Sequence, residues 1–401
     1  MTEEATTPAA VDARLVRRAL LFVLLIGVLS FFADFTYEGS RSVIGPFLAG
    51  LGASSIVVGV VTGFGEFLGY ALRLVSGRLA DTTGKFWPIT IFGYVLQMSV
   101  VPALALADSW SVAAVLIILE RVGRAIRNPP RDVMLSHAAT RVGGYGWAFG
   151  MHEALDQFGA MCGPLLVAGV LARHGSYREA FAVLLTPALI NLALVLLARW
   201  LYPRPQDLES APPQISGAGL PRVYWVYLVG AVLVAAGFAD YPLIAYHFSV
   251  DHSVPADWVP VFYSIAMAVS GGGSLLFGRL FDRFGFGVLI VLTLISAAFA
   301  PLVFLGGFWL ALAGAAIWGL GTGVHEAIIP AAVAPMVPAG RRASAFGLFT
   351  TAYGTFWFLG SAAIGILYGV SIPATVAFCL VTQLAALPAF IWVGRHRHYE
   401  G

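Results

Sequence analysis

The chain has 401 residues, of which 59% are hydrophobic and 11% are charged, and its formal net charge is only +2. Together with a mean hydropathy of +0.84, this composition excludes a soluble domain with a solvated surface and indicates a protein that crosses the membrane several times. The small net charge gives no sign of nucleic-acid binding.

Twelve long apolar runs can be marked between Leu15 and Val393. A bilayer core of roughly 30 Å needs about 20 apolar residues per helix, and lipid offers no partners for backbone polar groups, so runs this continuous predict helices rather than alternating strands. The predicted helices cover residues 17–38, 54–77, 88–107, 111–134, 146–172, 178–201, 222–248, 257–278, 287–306, 309–336, 342–369 and 372–394.

The runs divide the chain into two six-helix bundles, predicted at residues 14–201 and 222–395. Residues 202–221 are rich in Pro, Ser and Gly and are predicted to form a cytoplasmic linker. Residues 1–13 lack the basic segment and cleavage site of a signal peptide, so we predict a cytoplasmic amino-terminal tail. A second cytoplasmic tail is predicted at residues 396–401.

Basic residues are unevenly distributed over the ends of the predicted helices. Apart from Arg73, Arg121 and Arg124, which lie inside helices, most lysines and arginines fall on the side of the amino terminus. Because basic residues gather on the cytoplasmic side of a membrane, this pattern predicts an inner (plasma) membrane protein with both termini in the cytoplasm.

The chain shows no motif typical of an enzyme or of a cofactor site. Its two cysteines, Cys162 and Cys379, both lie in apolar runs, which leaves no disulfide framework and no Cys-x-x-Cys metal site. No Walker motif, catalytic triad or metal-ligand cluster is apparent in the sequence. We therefore predict a non-enzymatic protein without catalytic residues, resident metal or cofactor.

A short polar motif occurs once in each half. Gly-Arg-Leu-Ala-Asp-Thr-Thr-Gly at residues 77–84 is followed by Lys85, and Gly-Arg-Leu-Phe-Asp-Arg-Phe-Gly stands at residues 278–285. A second repeat is Phe-Ala-Asp, which ends at Asp34 in helix one and at Asp240 in helix seven. These repeats indicate one six-helix unit written twice.

The motif G-R-L-x-D-x-x-G resembles the loop between helices two and three of the major facilitator superfamily, with its weaker echo between helices eight and nine. The resemblance covers about Arg14 to Val393. It implies an all-α polytopic fold of twelve transmembrane helices in two pseudo-symmetric bundles, a substrate site between them near the midplane, and a monomer. In that family this loop closes the cytoplasmic side, so the predicted gate comprises Gly77, Arg78, Asp81, Gly84, Lys85 and Asp282; an ordinary turn is the alternative.

The inner half of helix four contains Glu120, Arg121, Arg124, Arg127 and Arg131. All of these except Arg121 share one face of the helix as a charged stripe. Arg121 lies about 16 Å into its helix, near the midplane, and occupies the position of an arginine that family members use in proton coupling or anion binding. An arginine inside the membrane also needs a carboxylate partner. The alternative is therefore a structural ion pair of Arg121 or Arg124 with Glu120, Glu66 or Asp34, and a further ion pair is predicted between Glu66 and Arg73, seven residues apart in helix two.

Helix five contains His152, Glu153 and Asp156, followed by Gly-x-x-x-Gly-Pro at Gly159, Gly163 and Pro164. That motif resembles one typical of the superfamily's proton antiporters, above all the drug exporters. Generic packing of small residues between membrane helices is the alternative. The acids lie one to two turns from the glycines, which favours the functional interpretation.

Other acids stand in helices that line the cavity of the resembled family. Asp34 and Asp240 lie in helices one and seven, and Glu326 follows His325 in helix ten. A carboxylate that leaves water for a partly dry cavity loses preference for its charged form and can exchange protons. Glu38 and Arg41, further along helix one, are predicted to form a solvated pair at the cavity mouth.

The sequence thus predicts a secondary active transporter that works by alternating access. The first hypothesis is a proton-coupled antiporter that exports small amphipathic or cationic compounds, driven by the proton gradient, with a small molecule, protons and the lipid bilayer as its partners. The residues predicted for proton coupling and the substrate cavity are Asp34, Arg121, Arg124, Glu153, Asp156, Asp240 and Glu326.

Two alternatives stay open. In the first, a proton symporter imports an organic anion or zwitterion held by Arg73, Arg121 and Arg124; this requires that these arginines are not paired off by neighbouring acids. In the second, the chain is a metal transporter or a membrane receptor, with metal ligands from residues 152–156 and 325–326, provided that the two clusters come within about 5 Å.

Overall fold

The computed structural model describes residues 8–139, 141–142, 145–205, 220–324, 329, 332–333, 336 and 342–396. These residues contain no strand and form twelve helical segments, four of which have one break (α6, α7, α9 and α12). In chain order they are α1 Pro8–Gly50, α2 Ser55–Thr83, α3 Phe86–Leu106, α4 Trp110–Ala139, α5 Tyr145–His174, α6 Tyr177–Leu201, α7 Arg222–Asp251, α8 Trp258–Phe284, α9 Phe286–Leu305, α10 Phe308–Gly323, α11 Arg342–Val370 and α12 Ile372–His396.

The helices suit a membrane. Within the described residues, nine of them are long and apolar enough to cross a bilayer, and α10 is a shorter apolar helix. α4 has the length of a span, but its series of charged side chains keeps it outside that set. The fold is therefore the predicted all-α polytopic one.

Helix α1 is much longer than the sequence predicted. It runs for 43 residues from Pro8 to Gly50, whereas its prediction ended at residue 38. Glu38 and Arg41 were predicted to form a solvated pair, but their side chains are buried against other helices. A helix continues through charged positions when its neighbours supply counter-charges.

Glycines of the repeated loop motif end α2 and α8. Gly84 has a φ of 63° and its N–H donates to the carbonyl oxygen of Ala80 at 2.8 Å. Gly285 also has a φ of 63°, and its N–H donates to the carbonyl of Phe281 at 2.7 Å. This left-handed backbone region favours glycine, which explains why the motif keeps one at the same place in both copies.

Helix α7 is interrupted between Ala236 and Tyr241. Asp240 caps the second piece, since its side chain accepts a hydrogen bond from the Tyr241 N–H at 3.0 Å, and Pro242 follows in the first turn. An acid at a helix start with proline just inside is a strong start signal. The same oxygen, Oδ1, also accepts from Arg41, so the break fixes the position of the carboxylate that Arg41 contacts.

Three helix pairs carry the most extensive contacts between α1–α6 and α7–α12 among the described residues: α1 with α7, α2 with α11, and α5 with α8. The Ser55 hydroxyl donates to the carbonyl of Gly365 at 2.9 Å, and the Ser264 hydroxyl donates to that of Met161 at 2.7 Å. We call the end of the bundle near Gly50 the distal end and the opposite end, near Thr83, the proximal end; the sequence predicts that the proximal end is cytoplasmic.

Candidate transport site

A cluster of charged side chains fills the space between α1, α2 and α4, with Tyr37 at its centre. The guanidinium carbons of Arg121 and Arg124 lie 4.8 and 4.4 Å from the centre of the Tyr37 ring. Arg121 also donates to the Tyr37 hydroxyl. An aromatic face attracts cations at this range, so the ring brings two arginines of α4 together over α1.

Arg121 is neutralised by two acids. Its Nη1 lies 2.9 Å from Glu66 Oε1, and its Nε lies 3.5 Å from Glu120 Oε2. Both Arg121 and Glu120 are almost inaccessible to solvent. The structure thus adopts the ion-pair alternative for Arg121, which places this arginine in a local network instead of free in a cavity.

Asp34 is the counter-charge for two further arginines, Arg124 and Arg127. Its carboxylate oxygens lie 3.7 Å from Arg124 Nη2 and 3.5 Å from Arg127 Nη2. Arg127 also donates through Nε to Gln97 Oε1 at 2.6 Å, and the Gln97 amide donates to Glu120 Oε1 at 2.7 Å. One continuous network therefore joins α1, α3 and α4.

Sequence reasoning assigned no role to Gln97, and it placed Arg127 only in the charged stripe of helix four, among the basic residues at the cytoplasmic helix ends. Both are buried to within 1% of full burial, and Arg127 additionally donates to the Tyr94 hydroxyl at 3.1 Å. The available signal was the polar amide of Gln97 in the middle of an apolar run, because a buried amide needs hydrogen-bond partners.

Arg73 does not pair with Glu66 as the sequence predicted. Glu66 instead lies 2.9 Å from Arg121 and 3.4 Å from Arg41. The guanidinium carbon of Arg73 stands 5.3 Å from the centre of the Tyr70 ring, and no described carboxylate lies within ion-pair distance of it. Residues seven apart are two turns apart, about 10 Å, so a nearer arginine on another helix takes the acid.

Four residues near the distal end join the two halves, and we call them the distal clasp: Glu38 and Arg41 of α1, Asp240 of α7 and Tyr263 of α8. Arg41 Nη2 lies 2.5 Å from Asp240 Oδ1, and Nη1 lies 3.8 Å from Glu38 Oε2. The Tyr263 hydroxyl donates to Glu38 Oε2 at 2.5 Å. Charges from both halves are thus neutralised across the interface.

The clasp corrects the prediction of a solvated mouth pair. Glu38 is only 6% and Arg41 only 7% exposed, because α7 and α8 cover them. Asp240, predicted as a cavity acid, is likewise occupied by Arg41 in this structure. These charged residues are evident in the sequence, but their packing partners come from the other half of the chain.

A second polar group lies on α5, on the side of the proximal end. His152 Nε2 is 2.7 Å from the Ser30 hydroxyl, which also accepts from Arg131 Nη1 at 3.1 Å. His152 Nδ1 is 3.9 Å from Asp156 Oδ2. Asp156 Oδ1 is buried without a hydrogen-bond partner, and no described lysine or arginine lies within ion-pair distance of Asp156.

Glu153 points away from the charged network. Its carboxylate accepts from the Gln157 amide at 3.0 Å and has no ion-pair partner among the described residues. Ligand atoms of His152, Glu153 and Asp156 lie within 4.8 Å of one another, a spacing that a metal ion could bridge. The second predicted cluster, with Glu326, lies outside the described residues.

The glycines of the helix-five motif pack against α1. A Cβ on Gly159 would overlap the carbonyl oxygen of Phe31, and one on Gly163 would overlap that of Phe35. Pro164 follows within the same helix. The described contacts of this motif are therefore packing contacts, the alternative that the sequence left open.

The predicted gate lies at the proximal end. Gly77 faces Pro129 of α4, and Arg78, Gly84 and Lys85 are exposed. The side chains of Asp81 and Asp282 lie outside the described part of the chain. The gating role therefore stays a prediction.

The Major Facilitator Superfamily model matches residues 23–305. The chain is 42% identical over 374 residues to an uncharacterized protein of Mycobacterium tuberculosis, with 91% of each chain covered. It is 27% identical over 365 residues to an uncharacterized transporter of this superfamily's type from Methanocaldococcus jannaschii, covering 87% of this chain and 89% of the other.

Solved structures show the same fold at low identity. A nucleoside transporter superposes with a TM-score of 0.74 at 12% identity, over 93% of this chain and 99% of the other. A peptide transporter gives 0.72 at 13% identity over 94% of each chain, and a bacterial homolog of the lysosomal transporter Spinster gives 0.69 at 14% over 94% and 96%. The chain therefore belongs to the major facilitator superfamily of multi-pass membrane transporters.

Proposed function

We propose that this secondary transporter is a proton-coupled antiporter that exports small amphipathic or cationic compounds. It would lie in the plasma membrane as a monomer, with both termini in the cytoplasm, and take its energy from the proton gradient without a cofactor. Its two six-helix bundles would expose the site to each side in turn.

The observation that carries this proposal is which acids and arginines around the midplane are paired with an opposite charge and which are not. Arg121 and Arg124 are held by Glu66, Glu120 and Asp34, so their charge is already compensated. Asp156, in contrast, has no lysine or arginine of the described residues within ion-pair distance, and its Oδ1 is buried without a hydrogen-bond partner among them. A carboxyl group in this position binds a proton or a cation more favourably than it binds an anion.

Exchange then follows from competition for one acid. A proton on Asp156 neutralises it while the site faces one side, and a cationic substrate takes its place after the bundles have moved. A single proton that crosses with the membrane potential supplies about 2.3 kcal/mol per 100 mV, which is sufficient to drive a modest substrate gradient.

Arg73 is the residue that supports the symport alternative. It is the one intramembrane arginine, of the three predicted for an anion, that has no described carboxylate within ion-pair distance, and it lies over the Tyr70 ring. An organic anion or zwitterion could bind there, in which case substrate and proton would move in the same direction.

Metal transport has a specific observation of its own. His152, Glu153 and Asp156 offer three ligand atoms within 4.8 Å. A divalent cation would displace the proton from Asp156, so metal export would be a variant of the same exchange.

The test uses purified protein in liposomes with an acidic lumen and a trapped pH-sensitive dye. We expect that an external lipophilic cation such as rhodamine 6G raises the lumenal pH faster than in protein-free vesicles, because cation entry releases protons. An organic acid that lowers the lumenal pH would indicate symport, and a rise seen with Mn²⁺ alone would indicate metal exchange.

Asp156→Asn is the decisive variant and Asp251→Asn is its matched control. Asp251 is an exposed acid at the distal end of α7, so its loss removes the same charge far from the site. We expect Asp156→Asn to reduce cation-driven proton movement at least about a hundredfold, the lower end of the range for losing a proton-transfer group, and the control to exchange normally. Wild-type exchange by Asp156→Asn would refute the proposal.

A further inference from the structure

A cavity of about 430 Å³ lies between α5 and α8, on the proximal side of the Ser264–Met161 contact. Most of its wall is apolar and includes Phe158 and Met161 from α5 and Met267 from α8. This volume falls within the range of sites that bind small organic molecules. The cavity thus separates α5 of the first half from α8 of the second half.

The cavity opens sideways. Ala154 and Phe158 on α5 are exposed and four residues apart, and so are Ala268 and Gly272 on α8. Residues four apart share one helix face, and these faces are apolar, as is typical of the lipid-facing side of a membrane helix. The mouth of the cavity is therefore continuous with the surface that meets lipid.

The polar groups of the cavity are acceptors. Among the described residues, the Glu153 carboxylate accepts a hydrogen bond only from the Gln157 amide, and Gln157 Oε1 is buried without a hydrogen-bond partner. The Ser274 hydroxyl is already used, because it donates to the carbonyl of Ser270 at 2.8 Å. Among the described residues that line the cavity there is no lysine or arginine.

The depth of Glu153 makes this arrangement costly without a ligand. It stands eight residues after Tyr145, where α5 begins, which is about 12 Å along the helix and well inside one leaflet. A carboxylate at this depth needs a cation or a proton. A free acceptor beside it, on Gln157, adds a position for an N–H donor.

We propose that this cavity is a lateral binding site for amphipathic ammonium compounds. The alkyl part would lie against Phe158 and Met267, and the ammonium group would donate to the Glu153 carboxylate and to Gln157 Oε1. The inference rests on the proposed function and adds that the substrate enters from the lipid leaflet on the proximal side. A neutral molecule of the same shape leaves Glu153 without a counter-charge and binds weakly.

Equilibrium binding of radiolabelled dodecylamine to the protein in lipid nanodiscs tests this, with the signal of empty nanodiscs subtracted. We expect saturable binding that unlabelled dodecylamine displaces and dodecanol does not. Glu153→Gln should weaken the affinity at least about tenfold, since a charge-assisted hydrogen bond is lost. Asp251→Asn, which removes a charge outside the cavity, should bind like the wild type.

A second pair of variants keeps the test independent of Glu153. A Cβ on Gly272 meets no atom within 4 Å, and the same holds for Gly169 on an exposed face of α5 outside the cavity. Gly272→Leu should therefore fill the cavity and weaken dodecylamine binding at least about tenfold, while Gly169→Leu should not.

Two results would overturn the lateral site: equal competition by dodecanol, or wild-type affinity in either Glu153→Gln or Gly272→Leu. Failure of the proposed function looks different. In that case dodecylamine binding and its dependence on Glu153 persist, but Asp156→Asn moves protons in liposomes as the wild type does.

Discussion

Tyr37 stands where three arginines meet. The guanidinium carbons of Arg41, Arg121 and Arg124 lie 5.9, 4.8 and 4.4 Å from the centre of its ring. A desolvated cation–π contact contributes up to about 2 kcal/mol, which does not offset the mutual repulsion of three buried cations. The acids around the ring are therefore a condition for the cluster to form at all.

The sequence predicted that these arginines need acids but not which acid each would take. The need follows from the cost of an intramembrane charge, and in the structure Arg121 and Arg124 each lie beside at least one acid. The choice of partner depends on how each helix is rotated about its axis. Glu66 therefore pairs with Arg121 instead of Arg73. The spacing of residues within α2 could not have predicted this choice of partner.

We expect Asp34→Asn to destabilise the protein by about 3 kcal/mol, because Arg124 and Arg127 lose the carboxylate between them and a buried charge without its partner is costly. The midpoint of thermal unfolding in detergent should fall accordingly. Adding Arg124→Gln should restore part of the loss, since it removes one uncompensated cation. A midpoint in Asp34→Asn equal to that of the wild type would show that water reaches this network.

At the scale of the helix, apolar runs predicted where spans exist better than where they end. All twelve predicted runs correspond to helical segments in the described residues. The end of α1 was predicted twelve residues too early, at residue 38 instead of Gly50. A charged side chain is predicted to be solvent-exposed when no partner for it is known. The partner of Arg41 is Asp240, which belongs to α7.

The packing of α5 on α1 gives a prediction that separates structure from transport. Gly163→Ala places a Cβ on the Phe35 carbonyl, so the helices must separate and the thermal midpoint should fall by several degrees, since overpacking costs about 1–3 kcal/mol. Gly169→Ala, six residues further along α5 and in open space, is the matched control and should leave the midpoint unchanged. Unfolding of both variants at the wild-type temperature would mean that the motif serves transport and not packing.

For the whole molecule, the repeated motif predicted two related bundles, and the positive φ of Gly84 and Gly285 explains the repeat. The sequence could not predict which end of the interface is closed, because that depends on contacts between the halves and not on either half alone. The distal clasp supplies the answer for this structure. It buries charges of α1 against α7 and α8, and it must break whenever the distal end opens.

This requirement can be measured. Ser264 lies beside the clasp residue Tyr263 and is 3% exposed, so a cysteine placed there, after replacement of Cys162 and Cys379 by alanine, should react slowly with a bulky hydrophilic maleimide in nanodiscs. Asp240→Asn leaves Arg41 without its 2.5 Å partner and favours the opened state. A loss of 1.4 kcal/mol already changes a population tenfold, so we expect labelling at least about ten times faster.

Control variants show whether faster labelling of the cysteine at position 264 results from loss of the Arg41–Asp240 ion pair. Asp251→Asn removes an acid from the same helix without touching Arg41, and its labelling rate should equal that of the background protein. Arg41→Gln should accelerate labelling like Asp240→Asn, because each removes one side of the same ion pair, and the two changes together should add little to either alone. Full additivity would mean that the two residues act on closure independently and not as an ion pair. A rate unchanged by both would mean that the distal end is held by apolar packing of α2 on α11 and α1 on α7, with the clasp contributing nothing to closure.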